Sequence, residues 1–350
     1  MIIDVLKNEK FKINTETMLQ YIEAKSSFKK ILYIDLGVKI VRLICYDEGF
    51  IPHIEKQLTY TMRNKASTYD ATIILWLQED IDKIYEVNNL FIPTDSNTNK
   101  LADFVIADFT INAYLPESET YFYGVKDLNP EEFMKEGHLF VHPFCRILKT
   151  ETTTLVHGAC FGLDNNGILL CARGQRGKST LAVLAMLEDF EYVSDDYLIL
   201  EKDKNELFAR PIYSIITLSP FMYNKLYDKL DGTRFISNNA RKDKYVLNIA
   251  NCHDKFRKKY PIKLCMFPEI TSDKEPSIAE CTTQERGKAI NQLIHSTITQ
   301  MFDMYDKSTV VKIINMVKDF KFYKINLCSN IYKNVEYLRE FMKGYENDKL

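Results

Sequence analysis

The residues best equipped for chemistry lie between positions 157 and 196. Lys178, Ser179 and Thr180 follow a glycine-punctuated turn, Ala172-Arg173-Gly174-Gln175-Arg176-Gly177, and open an apolar helical pattern. Successive backbone N–H groups of such a loop, joined to a helix N-terminus, can cradle phosphate oxygens. In that arrangement Gly174, Gln175, Arg176, Gly177 and Thr180 line the loop, Lys178 reaches the β- and γ-phosphates, and Ser179 holds Mg²⁺. The usual pattern is G-x-x-x-x-G-K-[ST], and Ala172 stands at its first glycine. Ala replaces Gly freely where φ is negative, whereas a left-handed backbone there would cost about 1–2 kcal/mol.

His157 precedes this loop and Asp195-Asp196 follows it. Phosphoryl transfer asks for a metal-bound triphosphate, an oriented acceptor and a carboxylate that takes the acceptor's proton. Asp195 and Asp196 can divide those tasks, one as base and one toward Mg²⁺ or a neighbouring cation. Two plainer readings stand beside this one: metal binding without transfer, and capping of the next turn. A bare Gly-Lys-Ser turn could also be a surface link, but strand before and helix after favour a phosphate loop.

The elements that must position these groups are legible around them. Thr152–Gly162 reads as a β-branched strand carrying His157. Asp164-Asn165-Asn166-Gly167 reads as a hairpin turn leading into an apolar strand at Ile168–Cys171. The strand with His157 is therefore expected beside the strand that feeds the loop. Leu181, Leu184, Ala185 and Leu187 give the loop helix a buried face, and Glu191–Val193 is a strand ending at the acidic pair. Strand, helix and strand with short links predict parallel neighbours that carry the ligand at their carboxyl ends. Farther on, Pro211 suggests an edge or bend, and the densest basic run, 240–263, reads as a solvated loop and helix face or as a patch attracting phosphates or an acidic substrate. Helices near 286–300 and in the last forty residues enclose a strand at KFYKINL.

The first 127 residues read as a sheet-rich α+β region with a helix at Thr15–Lys25, which Asn14 or Thr15 could cap. Strands follow at Ile31–Leu36, Lys39–Tyr46, Ala71–Leu77, 101–115 and 120–128. Glu79, Asp80 and Asp82 read as a solvated face and His53 as a loop residue. Residues 128–150 form a connection in which Asn129-Pro130 resembles a helix start, while Pro143 speaks against a regular helix around His138 and His142. A second domain covers 151–350.

At 350 residues the chain has room for two cores. With 27 % charged residues and a net charge of −2, nothing global points to nucleic acid or to a polybasic membrane contact. No apolar run approaches a membrane span and the first residues do not read as a secretory signal. The eight cysteines are scattered without C-x-x-C, as buried apolar residues of a reducing, cytoplasmic compartment are.

The stretch VHGACFGLDNNGILLCARGQRGKSTLAVLAMLEDFEYVSDDYLIL resembles the HPr serine kinase/phosphorylase family, and most of all the HPr-kinase-related proteins of modified-peptide clusters. The resemblance rests on His157-Gly158, on Ala172 to Ser179 and on Asp195-Asp196, which align without a gap. It implies an α/β P-loop domain of the HPr-kinase and phosphoenolpyruvate-carboxykinase-like type behind the N-terminal α+β domain. It also implies an ATP- and Mg²⁺-dependent kinase that phosphorylates a serine hydroxyl of a peptide, small protein or small molecule. On this resemblance Lys178 binds phosphate, Ser179 binds Mg²⁺, Asp195 is the base and His157 its partner. Asp196 organises the metal or an adjacent arginine, for which Arg210 is the candidate phosphate contact. The alternative is a nucleotide-sensing binding protein that transfers nothing. A carboxykinase-like small-molecule enzyme is a third reading, and association between copies is left open.

Overall fold

The computed structural model describes residues 12–13, 15–78, 91–92, 103–106, 110–126, 138–230, 236–241, 244–252, 254–300 and 306–347. Asn14, Glu79, Asp80, Asp82 and the Asn129-Pro130 helix start lie outside these. The chain divides into two compact units, Met1–Pro143 and Phe144–Leu350.

The first unit begins with β1 (Lys12–Ile13), α1 (Thr15–Lys25), β2 (Lys30–Asp35), β3 (Ile40–Cys45), α2 (Ile51–Leu58), β4 (Met62–Arg63) and β5 (Ala71–Leu77). It continues with β6 (Phe91–Ile92), β7 (Asp103–Ile106), β8 (Thr110–Leu115) and β9 (Thr120–Val125). Its seven-stranded sheet runs β4-β2-β3-β5-β9-β8-β7. Pairing is parallel through β3, β5 and β9 and antiparallel outside them. Met18 and Ile22 of α1 pack on Ile74, Trp76, Ala113 and Phe122. The buried Gln78 is satisfied there, its Oε1 accepting from Trp76 Nε1 at 3.2 Å and Tyr21 Oη at 3.0 Å. His53 belongs to α2 and not to a loop, because Pro52 sits at the start of that helix, where its missing N–H has no partner to lose. The same reasoning corrects the reading around Pro143. It falls in the first turn of α3 (Val141–Ile147), which forms a regular helix.

In the second unit the chain runs through β10 (Thr153–His157), β11 (Ala159–Leu163), β12 (Asn166–Leu170), α4 (Lys178–Leu187), β13 (Glu191–Ser194) and β14 (Tyr197–Asp203). Next come β15 (Glu206–Pro211), β16 (Ile215–Leu218), α5 (Pro220–Leu226), β17 (Ile236–Arg241), β18 (Lys244–Asn248), β19 (Tyr260–Ile270) and β20 (Ser277–Glu280). Last are α6 (Thr283–Gln300), α7 (Lys307–Val317), β21 (Lys321–Leu327) and α8 (Ile331–Asn347). The main sheet is ordered β10-β14-β15-β19-β12-β11-β13, with β21 pairing the outer half of β19 and β20. Segments 153–163 and 191–203 form one antiparallel ribbon, broken in both chains at the same place. His157 faces Tyr197, the Gly158 amide donates to the Asp196 carbonyl at 2.9 Å, and Cys160 faces Ser194. One half of the ribbon lies at each end of the sheet.

This arrangement overturns two sequence expectations. The strands before and after the loop helix, β12 and β13, point the same way but are not neighbours, because β11 pairs with both. His157 is not on the strand beside β12: Gly158 ends β10, and it is β11 that returns through the hairpin. The turn itself is as expected, with Asp164 at φ 51 and Asn165 at φ 61. True parallel neighbours of β12 come from far along the chain, as β12 pairs with β19 and β19 with β21. Among its described residues the basic run 240–263 contributes the end of β17, β18 and the start of β19, not a helix. Pro211 closes β15.

One face of the sheet packs Val156, Leu169, Leu198 and Phe267 against Leu293 and Ala289 of α6 and against Ile313 and Val317 of α7. On α4, Leu181 to Met186 are all buried, since this helix touches both the sheet and α8. The leucines, valine and methionine among them contribute about 1.5–3 kcal/mol each when fully buried. The described cysteines are free and, apart from the half-buried Cys281, buried. No helix among the described residues is long and apolar enough to cross a membrane.

Gly167 is where β12 approaches β19 most closely. A Cβ there would lie 2.3 Å from the Pro261 carbonyl oxygen. Gly167→Ala must spread the two strands, and we expect a loss of about 2–4 kcal/mol in denaturant unfolding of the full chain; a change under about 0.5 kcal/mol would show that the strands have room to move.

Candidate functional site

The loop between β12 and α4 is built from both sides. The Cys171 amide donates to the Met266 carbonyl at 2.8 Å, which prolongs the parallel ladder one step past β12. The chain then turns through Gln175 at φ 63 and Gly177 at φ 88, and the Leu181 amide closes the first helical bond on the Gly177 carbonyl at 2.9 Å. Gly177 is required by its left-handed backbone; a Cβ would also lie 2.8 Å from Leu327 Cδ1, the end of a side chain that can move aside. Gly174 is exposed with open space around it. Ala172 is fully buried with negative φ, so it carries no left-handed strain. Arg173, Gln175 and Arg176 are exposed, and Ser179 and Thr180 are half-buried at the helix start.

Lys178 is 5 % exposed. Its Nζ donates to the carbonyls of Ala172 at 2.9 Å and Arg173 at 3.2 Å. Burial lowers its proton affinity, and the charges of Asp196 and Asp195 oppose that loss. Both acids sit in the tight link between β13 and β14, where the Ser194 hydroxyl donates to the Tyr197 carbonyl at 2.6 Å and the Tyr197 amide to the Asp195 carbonyl at 3.0 Å. Asp196 takes a left-handed backbone at φ 68, which Asp tolerates better than most residues.

The two carboxylates have opposite surroundings. Asp195 is 2 % exposed and neither of its oxygens has a hydrogen-bond partner of normal geometry. Burial, reinforced by the charge of Asp196, pushes its pKa up to about 7, against the opposing effects of the Ser179 hydroxyl and Lys178. Asp196 is hydrogen-bonded on one oxygen and approached by a histidine on the other. The Thr217 hydroxyl of β16 donates to Oδ2 at 3.1 Å, and His157 Nε2 lies 3.5 Å from Oδ1. His157 therefore partners Asp196 and not Asp195. Its Nδ1 is buried without a hydrogen-bond partner, and its ring packs on Tyr197 at 5.3 Å between centroids.

Helix α6 ties these parts together, which local sequence patterns did not reveal. Gln292 Oε1 accepts from the Arg173 amide at 3.4 Å. One turn on, the Ser296 hydroxyl donates to the His157 carbonyl at 3.1 Å and Thr297 Oγ1 accepts from the His157 amide at 3.0 Å. The polar spacing 292, 296 and 297 along one helix face is the signal that could have found it. Arg210 stands apart from the acidic pair: its guanidinium is bonded to Glu201, which Lys259 also engages at 3.1 Å.

The site thus brings together Lys178, Ser179, Asp195, Asp196 and His157, adds Thr217, and leaves Arg210 in a separate ion pair. Hard oxygen donors from Ser179 and the acidic pair fit a Mg²⁺ ion. Among the described residues no cluster of three or more His, Cys, Asp or Glu side chains has the geometry of an all-protein metal site, and Mg²⁺ commonly takes only one or two carboxylates alongside phosphate oxygens.

No family model matches the chain, and no curated protein matches it. Among solved structures it is similar to the Hpr(Ser) kinase/phosphatase from Coxiella burnetii, with 12 % identity and a TM-score of 0.32 over 56 % of this chain and 97 % of that one.

Because the folded state holds a proton on Asp195 up to about pH 7 while the unfolded chain releases it near pH 4, stability from this group is present at low pH and lost as pH rises between those values. Thermal melts of wild type and Asp195→Asn between about pH 5 and 8 should show the wild type losing ground to the variant as pH rises; a constant gap would contradict the raised pKa.

Proposed function

We propose that the protein is an ATP- and Mg²⁺-dependent phosphotransferase of HPr-kinase-like type, which moves the terminal phosphoryl group of a nucleotide to a serine hydroxyl of a peptide, small protein or small molecule. The observation that carries this reading is the buried, unpartnered Asp195 carboxylate facing Ser179 and Lys178 across the loop. A nucleotide-binding loop has no need of a second carboxylate held between a histidine and a threonine; an enzyme that must orient and deprotonate a hydroxyl does.

Lys178 would leave its own loop carbonyls for phosphate oxygens, and the loop amides with the α4 N-terminus would take the rest of the charge. Mg²⁺, held by Ser179 and an acidic-pair carboxylate, would neutralise charge on the β- and γ-oxygens. Asp195, with a pKa near the working pH, takes the proton of the acceptor hydroxyl. The hydroxyl oxygen then bonds to the terminal phosphorus as the bridging oxygen leaves with the nucleoside diphosphate. Thr217 and His157 hold Asp196 in place beside it.

One pair of contacts favours an exchange of roles. Ser179, the metal-binding hydroxyl, faces Asp195, while His157 touches Asp196. In that version Asp195 serves the metal and Asp196 with His157 takes the proton.

Transfer from γ-labelled ATP to serine-bearing acceptors separates these versions. Asp195→Asn as the base lowers transfer by about 10³-fold or more at saturating Mg²⁺ while nucleotide binding survives. If Asp195→Asn instead raises the Mg²⁺ requirement and Asp196→Asn abolishes transfer, the roles are exchanged. Tight nucleotide binding with no labelled acceptor under any pairing would turn the reading into that of a nucleotide sensor.

A further inference from the structure

Four of the eight cations in the basic run 240–263 have acidic partners on the sheet. Lys255 pairs with Asp189 at 2.7 Å, Arg257 with Glu191 at 2.7 Å, Lys259 with Glu201 at 3.1 Å and Lys263 with Glu206 at 3.0 Å. These pairs give half of the run's cations a structural role. Lys244 lies on another sheet. It opens β18, which pairs with β16, the strand whose Thr217 holds Asp196. Thr217 and Val246 stand opposite each other in that pairing, and directly opposed residues share a sheet face. Lys244 is two residues from Val246, so it lies on that same face, the one Thr217 turns to the acidic pair.

The electrostatics agree with this placement. The charge of Lys244 also reaches Lys178 across the site. The two lysines are thus near enough to repel each other across a site where Asp195 and Asp196 supply the compensating charge. Two cations held close at a cost in mutual repulsion are stabilised when a polyanion lies between them.

We propose that Lys244 is a second phosphate-binding cation, which meets the terminal phosphoryl group of the donor from the β16–β18 wall while Lys178 meets it from the loop. The site then takes triphosphates in preference to diphosphates, because only the third phosphate reaches both cations. This rests on the phosphotransferase reading of the same loop, and deepens it by assigning the cation that the sequence analysis sought in Arg210.

The test is calorimetric binding of MgATP, MgADP and magnesium tripolyphosphate to the full chain, for wild type, Lys244→Met and Lys244→Arg, with circular dichroism melts to confirm folding. A charge-assisted phosphate contact corresponds to about 10- to 100-fold in affinity. Lys244→Met should therefore weaken MgATP and tripolyphosphate by that factor, leave MgADP within about 3-fold, and be largely rescued by Lys244→Arg. Unchanged MgATP affinity in a folded Lys244→Met would overturn the role of Lys244 and leave the loop reading standing. Equal losses for MgATP and MgADP would overturn the contact with the terminal group. A wild-type chain that binds none of the three would bring down the phosphate loop itself, and this proposal with it.

Discussion

The amide of Gly158 donates to the carbonyl of Asp196 at 2.9 Å, and that bond carries an antiparallel ladder across the point where both of its strands turn. Without it, 153–163 and 191–203 would be two unrelated corners. With it they are one ribbon whose halves sit at opposite ends of the sheet, and the residues at the break are forced together. Those residues are His157 on one strand and Asp195-Asp196 on the other. The left-handed turn at Asp196 is the local cost of this geometry, of the order of 1 kcal/mol for a non-glycine residue. It is offset by a carboxylate whose two oxygens are then met by Thr217 and His157.

Charge is distributed here against the usual preference of a protein interior. Burial and the neighbouring charge of Asp196 make protonation the cheaper state for the Asp195 carboxyl, against the Ser179 hydroxyl and Lys178, and push its pKa up to about 7. Lys178 faces the same desolvation and answers it with two carbonyls of its own loop. The two groups meet burial differently: the carboxyl by holding a proton, the ammonium by bonding neutral carbonyls. Sites that perform acid–base work are where such displaced proton affinities gather.

Local physics was legible in the sequence and non-local physics was not. The Asp164-Asn165 turn, the helix from Lys178 and the strand at Ala71–Leu77 follow from conformational preference and periodicity within a few residues, and each is found in place. Proline was misread near His53 and at Pro143 because its penalty vanishes in a helix's first turn, and only the register of the helix tells which turn it occupies. The insertion of β11 between β12 and β13 depends on a bend at Gly158 that periodicity cannot distinguish from a continuous strand. Within the site, the loop residues and the acidic pair were visible as types and spacings. The pairing of His157 with Asp196, the loss of Arg210 to Glu201 and the part played by Thr217 all depend on which strands lie side by side.

Ala172 shows how one unusual residue can be explained by what its backbone does. A glycine at the loop entrance would be needed if φ were positive or if another backbone crowded the position. Neither holds, because φ is negative and the residue packs into the core with no exposed surface. Its carbonyl faces the Lys178 ammonium, and the next residue's amide is fixed by Gln292 of α6. The same helix holds both backbone groups of His157 through Ser296 and Thr297. One turn of helix thus spans the loop entrance and the backbone of the histidine, and fixes the two relative to each other. The methyl group of Ala172 serves this arrangement by adding packing, where glycine would add freedom that the entrance does not use.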